Sequence, residues 1–169
     1  AAAYIRGIQE NGTVACPKHF AANSQEEGRF TSDSVLDDRT LREIYLPGFE
    51  AAVKEGRPAT VMCAYNKLGG THASDHKALL TDILRTDWGF DGLVVTDWGA
   101  MNDRIEGFRA GCDLNMPGSS NYMFKECAQA VTDGTLSESD INESVRRILK
   151  QVFRAEETLK EPYACDYDA

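Results

Sequence analysis

The sequence predicts an α/β fold, a partial (β/α)8 TIM-type barrel of about four βα units with parallel strands. Short apolar runs alternate with segments of helical periodicity, and continuous apolar runs are typical of parallel strands buried on both faces. The 169 residues are fewer than the roughly 200 or more of a complete eightfold barrel. Neither GxGxxG nor GxxxxGKS/T follows a strand-like run, which removes the signatures of the two commonest phosphate-binding doubly wound sheets.

Apolar runs mark the candidate strands of this sheet. They comprise residues 13–19, 59–65, 92–98 and, with a weaker pattern, 111–116. Each run ends in polar residues. If the strands are parallel, these polar ends meet at one edge of the sheet, which is the edge where barrel enzymes carry their active sites.

Apolar residues recur at helical spacing between these strands. The first helix is predicted to follow an N-cap at Asp37 or Asp38. Its apolar positions are Leu41, Ile44, Tyr45, Phe49, Ala52 and Val53. The second helix is predicted to follow a cap at Asp75. Its apolar positions are Ala78, Leu79, Ile83 and Leu84.

Further helices are predicted towards the C-terminus. One begins near Ala100 and ends at Gly111. The next spans about residues 122–132, with Gly134 behind it as a C-terminal stop. The last begins at the capping pattern "SESD", whose first residue is Ser137.

The length predicts one domain, because the chain is long enough for a sizeable core and too short for two ordinary domains. We assign residues 1–155 to a partial barrel domain. Residues 156–169 are polar and aperiodic, and we interpret them as a linker or tail.

The charge of the chain limits its partners. A formal net charge of -9 argues against nucleic acid and against an anionic membrane surface, because both are bound through Lys and Arg patches. No run approaches the roughly 18 apolar residues of a membrane span. A neutral or cationic small molecule fits this composition better.

The cysteines predict a reducing compartment. There are five, an odd number, and no two of them form a CxxC pair. Three lie within apolar strand-like runs, where a reduced thiol packed in the core is the usual arrangement. We therefore expect a cytoplasmic protein without a disulfide framework, with a periplasmic or secreted location as the alternative.

Polar side chains follow every candidate strand. These residues are Lys18 and His19, Tyr65 and Asn66, Asp97 and Trp98, and Asn115. An alternative for Asp97 is a structural role as N-cap of the helix near Ala100, because Asp is a favoured cap. The Lys18–His19 pair has the alternative of a solvated loop. Gathered around one cavity, these groups would suit a polyhydroxylated ligand, with Trp98 offering an apolar face.

Several long motifs resemble one enzyme family. They are "PKHFAANSQE", "DDRTLREIYLPGFEAAVKEG", "VMCAYNKLGG", "ALLTDILRTDWGFDGLVVTDWGAMNDR" and "AGCDLNMPG". Their order and spacing resemble glycoside hydrolase family 3, especially its bacterial β-glucosidases, over residues 1–155. The resemblance implies hydrolysis of terminal non-reducing β-D-glucosyl residues, with a β-glycoside or oligosaccharide as substrate and with no cofactor and no metal.

The resemblance also implies the catalytic residue. Asp97, in the "TDW" motif, corresponds to the nucleophile of a retaining mechanism and would form a covalent glycosyl enzyme. Trp98 would flank the sugar near the leaving group.

Other residues are implied to bind the substrate. Lys18 and His19, in "KHF", would hold hydroxyls of the sugar, and Met62 and Tyr65, in "MCAYN", would line the same subsite. A lysine and a tyrosine hydroxyl near Asp97 would favour its ionised form.

Retention needs a second carboxyl group, which the resemblance places in a C-terminal domain outside this chain. The earlier barrel strands would lie outside it as well. "KHFAANSQE" disfavours the N-acetylglucosaminidase branch, and we interpret Glu26 and Glu27 as solvated loop residues. The alternative is an incomplete, catalytically inactive half-barrel that at most binds sugar.

Overall fold

A computed structural model describes residues 1–118 and 120–158. Its central sheet contains β2 (Thr60–Cys63) and β5 (Leu93–Thr96), which pair in parallel from Thr60↔Leu93 to Cys63↔Thr96. Phe20 forms a parallel bridge to Cys63, and Leu114 forms one to Val95. The pairing order therefore follows the chain order, as consecutive βα units of a barrel require.

The first and fourth predicted strands are irregular extended segments that join the sheet through these bridges. Met62 donates its amide to the carbonyl of Pro17 at 3.1 Å, but Pro17 has no N–H to return to the ladder. On the other side, the amide of Met116 turns to the hydroxyl of Thr96 at 2.9 Å. The prediction of regular strands over 13–19 and 111–116 is therefore wrong in that detail.

Helices separate the strands. The α-helices are α1 (Ala2–Glu10), α2 (Asp38–Thr40), α3 (Pro47–Ala51), α4 (Arg104–Ala110), α5 (Asn121–Thr132) and α6 (Glu138–Thr158). Wider, π-helical turns form Leu41–Tyr45, Ala52–Gly56 and Ala78–Asp87. A short 3-10 turn covers Ala73–Asp75. The predicted helices are thus present, and α1 precedes the first predicted strand.

Another small sheet, absent from the sequence prediction, combines one short strand before β2 in the chain with two short strands after it. It consists of β1 (Asp33–Ser34), β3 (Lys67–Leu68) and β4 (Thr71–His72). β3 pairs in parallel with β1 and antiparallel with β4.

The helix caps differ in part from the prediction. The carboxylate of Asp37 accepts the amide of Thr40 at 2.7 Å, which selects Asp37 over Asp38 as the first cap. Helix α4 begins at Arg104 rather than near Ala100, because Asp103 accepts the amides of Ile105 and Glu106 at 2.9 and 3.1 Å. Asp97 is therefore not an N-cap, and the alternative role proposed for it is wrong.

Asp75 is not a cap either. It ends the 3-10 turn Ala73–Asp75, and Nδ1 of His76 accepts the amide of Leu79 at 3.2 Å in its place. A neutral imidazole can accept this hydrogen bond, whereas an imidazolium cannot.

The core lies between the β2/β5 pair and the helical segments that follow the first two strands. Phe20 is fully buried, with its ring centroid 5.0 Å from that of Phe49 and 5.8 Å from that of Trp88. Val61 and Val94 from the two strands are also fully buried. Each such side chain contributes roughly 1.5–3 kcal/mol by its removal from water. This packing holds the polar residue next to Phe20, His19, at the end of its segment.

A buried carboxylate joins the last strand segment to two helices. Asp113 is inaccessible to solvent and pairs with the guanidinium groups of Arg85 and Arg147 at 2.8 and 2.9 Å. It also accepts hydrogen bonds from the hydroxyl of Ser144 at 3.1 Å and from the amide of Val94 at 2.8 Å. Such full pairing is what a buried charge requires.

Helix α6 extends to Thr158, so residues 156–158 of the predicted linker are helical. The remainder of that segment, residues 159–169, lies outside the described residues, as does Cys165. In the described part of the chain, no helix is long and apolar enough to cross a bilayer.

The capping role of His76 predicts a pH-dependent stability. Burial lowers the pKa of His76 below its ordinary value, so between that value of about 6.5 and the folded-state pKa the unfolded chain binds more protons. Stability should therefore be lost as the pH falls through this window. In urea unfolding at pH 8 and pH 5, wild type should lose more stability than His76→Asn, which keeps a side-chain acceptor but does not titrate. Equal losses would contradict the prediction, because the other titrating groups are common to both proteins.

Candidate active site

Asp97 lies directly after β5, where the chain leaves the core. Its Oδ1 accepts the backbone amide of Trp98 at 2.6 Å, and its Oδ2 lies 3.1 Å from Nε2 of His19. The Asp97 side chain is 16% exposed and that of His19 is 33% exposed. Both oxygens are therefore held in place while the carboxylate remains open to a small ligand.

A tight turn follows the carboxylate. The amide of Ala100 donates to the carbonyl of Asp97 at 3.0 Å, and Gly99 has a φ of 81°, a conformation that glycine adopts without steric cost. The amide of Gly99 donates to the carbonyl of Met116 at 2.7 Å, which fixes the turn against the next strand segment. The turn leaves the Trp98 side chain 62% exposed beside the carboxylate.

Tyr65 reaches the same point from β2. Its hydroxyl donates to the carbonyl of Trp98 at 2.8 Å. Burial raises the pKa of Tyr65, and the neighbouring Asp97 carboxylate raises it further, so the phenol remains a proton donor at neutral pH. The structure thus brings three predicted residues, His19, Tyr65 and Asp97, to one edge of the sheet.

Two other predicted residues are less closely engaged. Met62 lies on β2, half-buried, in register with Val95. Lys18 is exposed and borders an apolar cavity between α1 and the helical segment 41–52. In the described part of the chain, its ammonium group forms no ion pair with Asp97.

Arg29 belongs to this cluster and was missed in the sequence. Its guanidinium carbon lies 4.3 Å from the ring centroid of Tyr65, a cation–π arrangement. The hydrogen bond that Arg29 donates to Glu26 raises the pKa of Arg29, and the nearby Tyr65 and Asp97 add to the effect. Phe30 packs edge-on against Tyr65, with ring centroids 4.6 Å apart. An arginine in a glycine-containing loop carries no pattern that would have revealed these contacts.

Of the two acidic residues in that loop, Glu26 and Glu27, the first has a structural role. The carboxylate of Glu26 pairs with Arg29 at 2.6 Å and accepts the side-chain amide of Asn23 at 3.0 Å. Glu27 is exposed. Glu26 therefore orients Arg29 over Tyr65 rather than standing free as an acid.

The arrangement suits a carboxylate that attacks or deprotonates a neutral ligand. An imidazole, a protonated phenol and a guanidinium lie close to Asp97, and all can donate hydrogen bonds to hydroxyl groups. The exposed indole adds an apolar face. No cluster of three or more metal-ligating side chains occurs among residues 1–118 and 120–158.

Residues 1–151 match the family described as "Glycosyl hydrolase family 3 N terminal domain". The chain belongs to glycosyl hydrolase family 3. Thermostable beta-glucosidase B of Acetivibrio thermocellus is 53% identical over 169 residues, which are 100% of this chain and 22% of that protein. A family 3 relative with another name, the exo-alpha-(1->6)-L-arabinopyranosidase of Bifidobacterium longum, is 40% identical over 98% of this chain and 22% of its own length.

Solved structures of the family agree with the fold. Beta-glucosidase 3B of Thermotoga neapolitana, solved with alpha-D-glucose, superposes with a TM-score of 0.92 at 41% identity and covers 99% of this chain. The predicted partial (β/α)8 barrel is thereby confirmed. The chain spans about a quarter of that structure, at 24%, and about a fifth of the family 3 relatives above.

Proposed function

We propose that this chain carries the nucleophile of a retaining glycoside hydrolase that releases terminal non-reducing β-D-glucosyl residues. The main observation behind this proposal is the position of the Asp97 carboxylate at the end of β5. Its Oδ2 lies 3.1 Å from Nε2 of His19, and Tyr65 is adjacent. A relative named thermostable beta-glucosidase B, at 53% identity, supports this reaction. The catalytic and substrate-binding roles below belong to the proposal.

The reaction proceeds in two displacements. An oxygen of Asp97 attacks the anomeric carbon from the face opposite the aglycone, and the glycosidic C–O bond breaks as the leaving oxygen takes a proton from an acid. Water then attacks the same carbon, gives its proton to the conjugate base of that acid, and releases the Asp97 carboxylate. Two inversions retain the β configuration.

The remaining residues bind and orient the sugar. His19 holds Asp97 through Nε2 and presents its other ring nitrogen to a hydroxyl, and Lys18 reaches a neighbouring hydroxyl from the same segment. Met62 and Tyr65 line the subsite from β2. Trp98 stacks its exposed ring against the substrate near the leaving group, since sugars present apolar as well as polar faces.

The acid comes from outside this chain in our proposal. A retaining site needs a second carboxyl group roughly 5 Å from the first. Within residues 1–118 and 120–158, the side chains that interact with Asp97 include those of His19, Tyr65 and Arg29, and none of these three is a carboxylic acid. A C-terminal domain of a longer enzyme would supply the acid, and the earlier barrel strands would supply further groups that bind the sugar. Both would lie outside this chain, which fits its coverage of only 22% of a relative.

The second candidate is a chain that does not catalyse by itself and at most binds sugar. Large apolar side chains are exposed on helical segments at both edges of the central sheet. They include Tyr4 and Ile44 at the edge near the first strand segment, and Val152 and Phe153 of α6 at the other edge. These faces suit contacts with further protein. A chain that needs such contacts to complete its active site would bind glucose weakly and would hydrolyse no glycoside.

A covalent probe decides between these candidates. The probe is a dinitrophenyl β-D-glucoside with fluorine in place of the hydroxyl next to the anomeric carbon. Its leaving group departs as an anion without a proton, so the missing acid is not required, and the fluorine slows hydrolysis of the glycosyl enzyme. We expect the chain to become labelled at Asp97, as located by peptide mass spectrometry. Labelling at another residue would exclude Asp97 as nucleophile, and binding of glucose without labelling would favour the second candidate.

We also propose a cytoplasmic location. The described cysteines, Cys16, Cys63, Cys112 and Cys127, are free thiols. Burial raises the pKa of Cys16 and Cys127 above the usual thiol value, which lowers their reactivity. This supports a reducing compartment.

A further inference from the structure

The loop that carries Asp97 and Trp98, residues 97–103, is bound at its far end by a carboxylate that the reaction does not use. Oδ2 of Asp75 accepts the side-chain amide of Asn102 at 2.8 Å. Asp75 thus binds the residue that precedes Asp103, the N-cap of α4.

Asp75 itself is firmly placed. It ends the 3-10 turn Ala73–Asp75, in which Ala73 and Ser74 are fully buried. The amide of Ala73 donates to the carbonyl of Asn66 at 3.0 Å, and the hydroxyl of Ser74 donates to Oδ1 of Asp75 at 2.8 Å. Asn66 directly follows Tyr65 and is 1% exposed. The turn is therefore anchored to the end of the strand that carries Tyr65.

The loop is consequently held at two points by one stretch of chain. The hydroxyl of Tyr65 donates to the carbonyl of Trp98 near the start of the loop, and Asp75 binds Asn102 near its end. The amide of Gly99 adds a hydrogen bond to the carbonyl of Met116 between these two points, so loss of the contact at Asn102 would free the end of the loop to move. Asp97 directly precedes Trp98, and the direction of its side chain therefore depends on how the loop is held.

The chemistry of Asp75 suits this role better than a role in stability. Burial raises the pKa of Asp75 despite its hydrogen bonds, so its ionised form is disfavoured in the fold relative to water. Asn has the same shape and no charge, but its side chain presents one acceptor oxygen where the carboxylate presents two. A substitution by Asn should therefore weaken the grip on the loop without weakening the fold.

We propose that Asp75 is a positioning residue for Asp97, acting through Asn102 to hold the loop 97–103 in its reactive orientation. The inference rests on the proposed nucleophilic role of Asp97. It predicts an effect on the rate of glycosylation rather than on sugar affinity, because Asp75 lies beyond the loop from the reacting atoms. A displacement of about 1 Å at a reacting group costs roughly 10²-fold in rate.

The test compares four forms of the full chain with the fluorinated dinitrophenyl glucoside. Asp75→Asn should lower the maximal labelling rate by about 10- to 100-fold with an unchanged half-saturating probe concentration and an unchanged urea midpoint. The double variant Asp75→Asn with Asn102→Asp exchanges acceptor and donor and should recover most of the rate. Asp82→Asn, which removes an equal charge from an exposed pair with Lys77, should label like wild type.

Hydrogen exchange provides a readout that does not need the reaction. In Asp75→Asn, the amides of Gly99 and Ala100 should exchange faster than in wild type and in Asp82→Asn. A labelling rate and loop exchange equal to those of wild type would overturn the proposal. Failure of wild type itself to become labelled would instead count against catalysis by the chain, and loop exchange would still decide the role of Asp75.

Discussion

Replacing Asp97 by glycine is expected to lower the rate of dinitrophenolate release from dinitrophenyl β-D-glucoside by about 10⁴-fold or more. Loss of a catalytic nucleophile typically has effects of this size, because no other group forms the covalent intermediate. Asp91→Asn is the matched control, since its exposed carboxylate precedes the same strand and pairs with Lys150. This control should retain the wild-type rate.

Azide should rescue Asp97→Gly and identify the lost step. The small anion can occupy the space of the missing carboxylate and attack the anomeric carbon as dinitrophenolate leaves with the bonding electrons. A single displacement inverts the centre, so the product should be α-D-glucosyl azide. A β-configured azide, or a rate that Asp97→Gly does not reduce, would contradict the assignment of Asp97 as nucleophile.

The same substitution should leave the fold intact. The cap of α4 is Asp103, so the Asp97 side chain has no helix to support. It has hydrogen bonds to Trp98 and His19, each contributing about 1 kcal/mol or less at a partly exposed position. Loss of activity with a native unfolding curve would therefore separate catalysis from stability.

Replacing Asp113 by alanine is expected to destabilise the chain by about 3–5 kcal/mol. The substitution leaves the guanidinium groups of Arg85 and Arg147 buried without their shared counter-charge, and it deprives the amide of Val94 of its acceptor. Such a loss is a large part of the total stability of an ordinary domain. It should appear as a lower urea midpoint with an unchanged slope of the unfolding transition.

Glu143→Ala provides the contrast for this prediction. Glu143 pairs with Arg146 and Arg147 on the exposed face of α6, and a solvent-exposed pair contributes about 0–1 kcal/mol. If Asp113→Ala does not fold, Asp113→Asn retains the shape and should still lose more stability than Glu143→Ala. Equal losses in Asp113 and Glu143 variants would show that burial of the pair is unimportant.

The placement of the site followed from local patterns in the sequence. Asp97 and Tyr65 end apolar runs, and parallel strands bring such ends to one edge whatever the details of packing. The position of His19 followed for the same reason. The sequence does not show which aspartate caps the helix and which is free for function, because Asp97 and Asp103 both precede the helix and both are suitable caps.

Contacts across long sequence separations were not predictable. Arg85, Asp113 and Arg147 lie on three elements, and nothing in their local spacing indicates that they meet. The position of Arg29 over Tyr65 likewise depends on the path of a loop. The break in the first strand had a local signal in Pro17, although the apolar pattern around it favoured a regular strand.

The two central strands are regular and the two flanking segments are irregular, so the side chains of the site are not all held with the same rigidity. Asp97 and Tyr65 extend from β5 and β2, whose ladder resists displacement, whereas His19 extends from a segment joined to β2 through a bridge and two amide contacts. In the proposed mechanism, a covalent bond to the sugar would remove the charge of Asp97 and weaken its attraction for the imidazole. His19 would then be free to move away without displacing the attacking oxygen from the anomeric carbon, so the charge of the nucleophile would change while its position would not.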